Sequence, residues 1–157
     1  MTVIYAVLFS CIPADVQALR QEDQERELLS ASARQFWEGV RWEVDDQSAD
    51  FITEDDRALF RVRVAEQRKT ERLIETTILR VTLDDVPAEL TATTDTWRTG
   101  TVLLQLEGYT LPAQIVKTKE HSQEWFRTTD GWFVEWDSDA PGPLTDEQAD
   151  EQTDESP

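Results

Sequence analysis

The chain has 157 residues, the length of one domain, and a formal net charge of −18 from 33 acidic and 15 basic residues. Such a polyanion repels nucleic acid phosphates, so no nucleic acid partner is expected. Cys11 is the single cysteine, which excludes an internal disulfide and a cysteine-based metal cluster. The five glycines are scattered singly, so no phosphate-binding loop and no cofactor are expected.

The amino-terminal segment, residues 1–11, holds an apolar run of seven residues that is too short to cross a membrane. The run ends in Leu8-Phe9-Ser10-Cys11, which resembles the lipobox of bacterial lipoprotein signals, although Phe9 and the lack of a preceding basic residue depart from that pattern. The resemblance implies a signal over residues 1–11, a lipid anchor on Cys11 and a membrane-attached protein of the bacterial periplasm or cell envelope. The alternative is a short buried strand in a cytoplasmic protein, with Cys11 a core thiol.

The first helix is predicted over about residues 15–40, where Ala, Leu, Gln, Glu and Arg dominate, and Pro13 is able to begin it. Residues 20–27 hold no apolar side chain. We therefore predict a polar helical spacer over 12–27 and a packed domain over 28–137. The apolar residues at helical spacing in the packed half are Leu29, Ala33, Phe36, Trp37 and Val40.

An acidic loop is predicted over residues 41–53, and a second helix follows over 53–69. Thr53 is the predicted N-cap of this helix. The side chains expected to point inward from the loop are Trp42, Val44, Phe51 and Ile52. The carboxylates of the first turn are Glu54, Asp55 and Asp56. Because acidic residues favour the amino end of a helix, we interpret these three as capping residues and predict no metal site.

After the second helix the apolar pattern changes to a period of two, which predicts strands. The predicted strands cover residues 73–83, 97–107 and 113–127. Residues 138–157 are acidic and lack aromatic side chains, so we predict a disordered tail.

The most strongly patterned stretch is a predicted β-hairpin over residues 120–136. Asp130-Gly131 between two aromatic arms is a strong hairpin signal, because Gly accepts a positive φ without steric cost. The arms hold Trp125, Phe126, Trp132, Phe133, Val134 and Trp136. Alternation places Trp132, Val134 and Trp136 on one face.

Two helices followed by about four antiparallel strands predict an α+β fold, with the helices packed on a curved sheet. Over residues 28–136 the chain resembles the nuclear-transport-factor-two-like superfamily of cystatin-like cones. The resemblance is carried by the Phe36-Trp37-Glu38-Gly39 segment, by the second helix and by the closing hairpin with Trp125 and Trp132. It implies a cone-shaped sheet and a homodimer as one mode of assembly.

Aromatic side chains of such a cone are candidates for the lining of a pocket, with plain core packing as the alternative. These candidates are Trp37, Trp42, Phe60, Trp97, Trp125 and Trp132. Enzymes of the superfamily use an Asp or a His with a Tyr donor. Here Tyr5 falls in the predicted signal, Tyr109 in a turn, and His121 shares a strand face with Lys119 and Gln123, which we expect to face solvent. No catalytic residue is assigned.

Two functions remain open from the sequence. The first is an exported, lipid-anchored binding or assembly module that takes a protein partner or a small apolar ligand, without catalysis. The alternative is a small isomerase- or dehydratase-like enzyme with an apolar pocket in the cone. A concave face filled by its own side chains favours the first, and an enclosed pocket with an ionisable group favours the second.

Overall fold

The computed structural model describes residues 14–85, 95–138 and 142–144. Three helices precede four strands: α1 (Ala14–Arg41), α2 (Asp45–Ala49), α3 (Arg57–Gln67), β1 (Glu71–Asp84), β2 (Arg98–Thr110), β3 (Val116–Arg127) and β4 (Trp132–Val134). The strands form one antiparallel sheet in the order β1-β2-β3-β4, and α1 packs against it. The predicted α+β class is confirmed. Cys11 and the predicted signal lie outside the described residues.

The long helix α1 is continuous across the predicted boundary between spacer and domain. Its buried residues include Leu29, Ala33 and Phe36, as their helical spacing predicts. Glu25, within the predicted spacer, is also buried and accepts a hydrogen bond from Arg127 Nε at 3.3 Å. The packed part of the helix therefore extends further toward the amino terminus than predicted. None of the described helices combines the length and apolar character that a membrane crossing requires.

The segment after α1 differs from the prediction in two ways. The short helix α2 interrupts the predicted loop, and Trp42 is 66% exposed, with the Arg41 guanidinium 4.8 Å from its ring centroid. Helix α3 begins at Arg57 instead of Thr53, because the Thr53 hydroxyl donates to the Asp56 carboxylate and forms no cap. The predicted N-cap at Thr53 and the inward position of Trp42 are therefore wrong.

The helix-facing side of the sheet follows a regular alternation on β2, where Val102, Leu104 and Leu106 are buried. Strand β1 pairs with β2 through two register shifts, one between Leu73 and Glu75 and one between Ile78 and Arg80. β-Bulges of this kind increase the local twist and bend of a strand.

The predicted hairpin joins β3 and β4. Gly131 has a φ of +153°, a conformation that side chains rarely adopt, and the Thr128 N–H donates to the Gly131 carbonyl at 2.9 Å. The buried residues Trp125, Trp132 and Val134 face α1, so the centre of the helix-facing side of the sheet is filled by the chain's own side chains.

Part of the predicted disordered tail is packed against the sheet. Leu144 is buried, and its N–H donates to Glu71 Oε2 at 3.3 Å. Leu144 lies against the backbone of Gly108, where an added Cβ would come within 2.5 Å of its Cδ1. Leu144 is the only leucine of that tail, so the hydrophobic effect favours its burial over a glycine that leaves room for it. The remaining tail residues after Leu144 lie outside the described part.

Candidate functional site

A groove of about 370 Å³ opens at the margin of the filled, helix-facing side of the sheet. It forms because β4 pairs only with the last residues of β3, Trp125 to Arg127. After β4 the pairing with β3 continues for one more backbone hydrogen bond, from Glu135 to Glu124. Trp136 then packs edge-on against Phe60 of α3, with 5.6 Å between the ring centroids. A space remains between α1, α3, the middle of β3 and the segment that follows β4. Its volume lies in the range of small-ligand pockets.

The floor of the groove is aromatic and held in place by its contacts. Phe36 and Trp37 meet edge-on with ring centroids 5.4 Å apart, and Phe36 also contacts Phe60 at 5.8 Å. The Trp37 Nε1–H donates to Gln123 Oε1 at 3.0 Å in a buried contact, which links α1 to β3. Buried indole nitrogens are normally paired in this way. The floor is therefore a pre-formed surface.

The rim of the groove is polar and acidic. Glu124 of β3 and Glu135, just after β4, lie side by side at the outer edge of the groove, and the Glu135 N–H donates to the Glu124 carbonyl at 2.9 Å. Since the neighbouring Gln123, Trp125 and Val134 face α1, the two carboxylates point to the other face of the sheet. Partial burial, the Glu124 charge and a hydrogen bond between the two side chains raise the pKa of Glu135 above its usual value. Asp137 is the third carboxylate of the lining. The remaining polar side chains of the lining are Gln67, His121, Ser122 and Gln123.

His121 lies in the groove, and its predicted solvent position is wrong. The face of β3 that it shares with Gln123 is the helix-facing face, so its ring meets Trp37 edge-on at 5.6 Å. Burial, followed by the nearby charge of Lys119, lowers the pKa of His121 below its ordinary value of 6.5. The imidazole is therefore neutral at pH 7 and can accept a hydrogen bond or a proton.

The six predicted lining residues separate into three groups. Trp37 and Phe60 lie in the groove. Trp125 and Trp132 are buried in the core. Trp42 and Trp97 are exposed elsewhere, and Trp97 contacts the Arg127 guanidinium at 5.6 Å from its ring centroid.

Sequence reasoning missed Gln123, Glu135 and Trp136 as groove residues. Gln123 looked like a surface residue because its strand is rich in charge. The alternation of the hairpin placed Trp136 on the inward face, and this was the one signal that pointed toward its contact with α3.

Within the described ranges, no group of three or more His, Cys, Asp or Glu side chains is arranged to hold a metal ion. Comparison with protein-family models, with curated proteins and with solved structures finds no match to this chain. The resemblance to the nuclear-transport-factor-two-like superfamily stays a prediction.

Proposed function

We propose that this protein is a binding module that takes a small, largely apolar ligand in the groove between α1, α3 and β3. The observation that carries this proposal is the open volume of about 370 Å³ beside the otherwise filled, helix-facing side of the sheet. Since Trp125, Trp132 and Val134 occupy the centre of that face, a ligand has room only at its margin.

The groove is suited to binding because its walls need little ordering. Phe36, Trp37 and Phe60 are nearly fully buried by one another and by the sheet, and Trp37 is fixed by Gln123. Binding to a pre-organised wall avoids the entropy loss of fixing mobile side chains. An apolar ligand would gain free energy mainly from its own apolar surface, which leaves water on binding.

The test is a titration with N-phenyl-1-naphthylamine, a neutral apolar dye whose emission rises in a dry site. Val40 lies at the wall of the groove and is only partly buried, so Val40→Trp should fill the space and weaken dye binding at least tenfold. Val116→Trp, at an exposed position outside the groove, is the matched control and should bind as the parent does. Equal binding by all three proteins would refute the groove as the site.

We also propose that the module is held at a bacterial membrane through Cys11. The support is the Leu8-Phe9-Ser10-Cys11 sequence. Two or more acyl chains on one residue would give stable anchoring, because a single chain holds only weakly. Radiolabelled palmitate should enter the protein in bacterial cells and should not enter the Cys11→Ser variant. Incorporation that is independent of Cys11 would contradict this part.

A second candidate function, an enzyme acting on an apolar carbonyl compound, is favoured by one observation, the neutral imidazole of His121 in the groove. A positioned neutral base of this kind can remove a proton next to a carbonyl group. The test is deuterium exchange into cyclohexanone in heavy water, followed by NMR. Exchange by the parent protein that is lost in His121→Gln, with dye binding retained, would favour the enzyme over the binding module.

A further inference from the structure

We infer that the groove selects a neutral aromatic alcohol, a ligand with an aromatic body and one hydroxyl group. This inference rests on the proposed binding function and names the class of ligand that the site takes. It follows from two polar side chains of β3, His121 and Gln123, which lie together at one corner of the aromatic floor.

Gln123 supplies the first polar group of this corner. Its side-chain oxygen accepts the Trp37 Nε1–H at 3.0 Å, and because an indole N–H only donates, the amide nitrogen of Gln123 is the end that remains. The side chain is only 8% exposed, and its amide nitrogen makes no hydrogen bond to any described residue. That nitrogen still reaches the groove, since the fully enclosed side-chain nitrogens without a partner in the described part of the chain belong to Arg68, Trp125 and Trp132. Gln123 therefore offers a ligand an N–H donor in a largely buried setting.

His121 supplies the second polar group. It lies two residues before Gln123 on the same face of β3, a spacing that places the two Cα atoms about 7 Å apart. Both side chains meet Trp37, the imidazole edge-on with 5.6 Å between the ring centroids and the amide through its hydrogen bond. No described residue forms a hydrogen bond with the imidazole, and burial together with the Lys119 charge lowers its pKa and keeps it neutral. A neutral imidazole has one nitrogen that accepts and one that donates, so a ligand can meet either at this corner.

A hydroxyl group fits this corner better than other small polar groups. Its oxygen accepts from the Gln123 amide while its O–H donates to the imidazole, and its second lone pair lets it accept from the imidazole in the other tautomer. A keto oxygen only accepts and suits one tautomer, and an ammonium group only donates and leaves the Gln123 N–H without an acceptor. Because a polar group that is covered and left unpaired costs free energy, a ligand that pairs with both side chains is favoured.

The aromatic floor selects the body of the ligand. Phe36, Trp37, Phe60 and Trp136 line the groove, and they already meet one another edge-on, as in the pairs Phe36–Trp37 and Phe60–Trp136. A further ring gains attraction in offset or edge-to-face contact with such rings beyond the gain from area alone. A rigid ring system also loses less torsional freedom on binding than a flexible chain does. The volume of about 370 Å³ limits the body to a small ring system.

Three uncharged probes with one naphthalene body test the inference. 2-Naphthalenemethanol donates and accepts, 2-acetylnaphthalene only accepts, and 2-ethylnaphthalene does neither. In a plain apolar groove the affinity would follow the free energy of leaving water, and ethylnaphthalene would bind most tightly. We expect the reverse order, with the alcohol binding about tenfold more tightly than ethylnaphthalene and more tightly than the ketone. The probes are titrated into the full chain, and NMR follows the indole N–H signals.

Two variants locate the effect at the imidazole. His121→Phe keeps an aromatic ring without its nitrogens and should reduce the advantage of the alcohol over ethylnaphthalene to about threefold, the part that Gln123 still supplies. Thr118→Val removes a hydrogen-bonding group from an exposed position of the same strand outside the groove lining, and should keep the full advantage. Circular dichroism checks that both variants fold. NMR of the imidazole nitrogens in the parent protein needs no variant, and the signals should shift more with the alcohol than with ethylnaphthalene.

The outcomes separate the two proposals. If none of the three probes binds, the proposed function fails. If ethylnaphthalene binds most tightly, the groove is a binding site but the inference on its ligand is wrong. If the ketone binds as tightly as the alcohol, the imidazole acts as a donor and the preference for a hydroxyl is refuted. An advantage of the alcohol that is unchanged in His121→Phe would overturn the role of the imidazole.

Discussion

At the scale of single residues, the state of the His121 imidazole is set by its neighbours on α1 and β3. The Trp37 ring excludes water from one side of the imidazole, which disfavours its charged form. The ammonium group of Lys119, two positions earlier on the same strand face, adds a smaller effect in the same direction. The groove therefore presents an uncharged hydrogen-bonding group beside an aromatic floor.

The first prediction concerns this pKa. His121 is the single histidine, so its imidazole signals can be assigned without ambiguity in an NMR titration. We expect a pKa below 6.5 that rises part of the way back in Lys119→Gln, because one of its two causes is removed. Lys69→Gln, two residues after the end of α3, is the control and should leave the value unchanged. A pKa at or above 6.5 in the parent protein would contradict the buried position of the ring.

The same lowering of the pKa of His121 affects stability. Below about pH 6.5 the imidazole of the unfolded chain takes up a proton that the folded chain resists, so this group favours unfolding as the pH falls toward the pKa of the folded state. We expect the free energy of unfolding to decrease between pH 7 and pH 5.5 and to decrease less steeply in His121→Gln. Urea unfolding at several pH values measures both slopes, and parallel slopes would count against the prediction.

At the scale of elements, α1 is joined to the hairpin by the Arg127–Glu25 ion pair. The two side chains are only 18% and 11% exposed, so they are largely removed from water. Arg127 also donates to the Thr128 carbonyl and lies near the Trp97 ring. One guanidinium thus connects the helix, the hairpin turn and the chain that enters β2.

Loss of one partner of this pair leaves a charge that is largely buried and uncompensated. We expect Glu25→Gln to lower the free energy of unfolding by about 2 kcal/mol. The matched control is Glu22→Gln on the same helix, which breaks an exposed pair with Arg26 and should change stability by less than about 0.5 kcal/mol. Chemical denaturation compares them, and equal effects would show that the Glu25 pair contributes no more than a surface contact.

The end of the described chain is a second connection between elements, because Leu144 packs over Gly108 and donates to Glu71. Truncation of a buried leucine leaves a cavity, so we expect Leu144→Ala to lower the free energy of unfolding by about 2 to 3 kcal/mol. Val116→Ala, at a site that is 53% exposed, should have a much smaller effect. Urea denaturation measures both, and a near-neutral Leu144→Ala would mean that this segment contributes little to the fold.

The elements that depend on local patterns could be predicted from the sequence. The helical spacing of Leu29, Ala33 and Phe36 located the packed part of α1, and Asp130-Gly131 located the hairpin. The start of α3 was misplaced because the hydroxyl of Thr53 had another partner, Asp56, within reach. From the sequence, the Thr53 hydroxyl could either cap the helix or bind the Asp56 carboxylate, and only the structure distinguishes the two.

Most of the candidate site could not be predicted, because it depends on contacts between residues that are far apart in the sequence. The groove exists because β4 ends after three residues and Trp136 turns toward Phe60. Gln123 can be buried because its side-chain oxygen accepts a hydrogen bond from the indole N–H of Trp37, which lies on α1. The spacing of residues within one helix or strand does not predict such contacts between elements.

At the scale of the whole molecule, the chain carries a net charge of −18, so its overall field attracts cations. Such a field raises the local concentration of cations and speeds their association, and salt screens it over about 10 Å at 0.1 M. We expect the association of a simple organic cation, tetramethylammonium, with the protein to weaken several-fold between 20 mM and 500 mM sodium chloride. The affinity for the neutral dye N-phenyl-1-naphthylamine should change little over the same range. Calorimetric titration measures both, and equal salt dependence would contradict an electrostatic contribution.

The two bulges of β1 have a consequence for how copies of this protein meet. In the described part of the chain β1 is an outer strand of an open sheet, and a regular outer strand offers its free N–H and C=O groups to any other chain. The shifts at Leu73/Glu75 and Ile78/Arg80 break that row into short pieces that another straight strand cannot follow. On this argument the two register shifts make β1 a poor template for edge-to-edge pairing between copies of the protein.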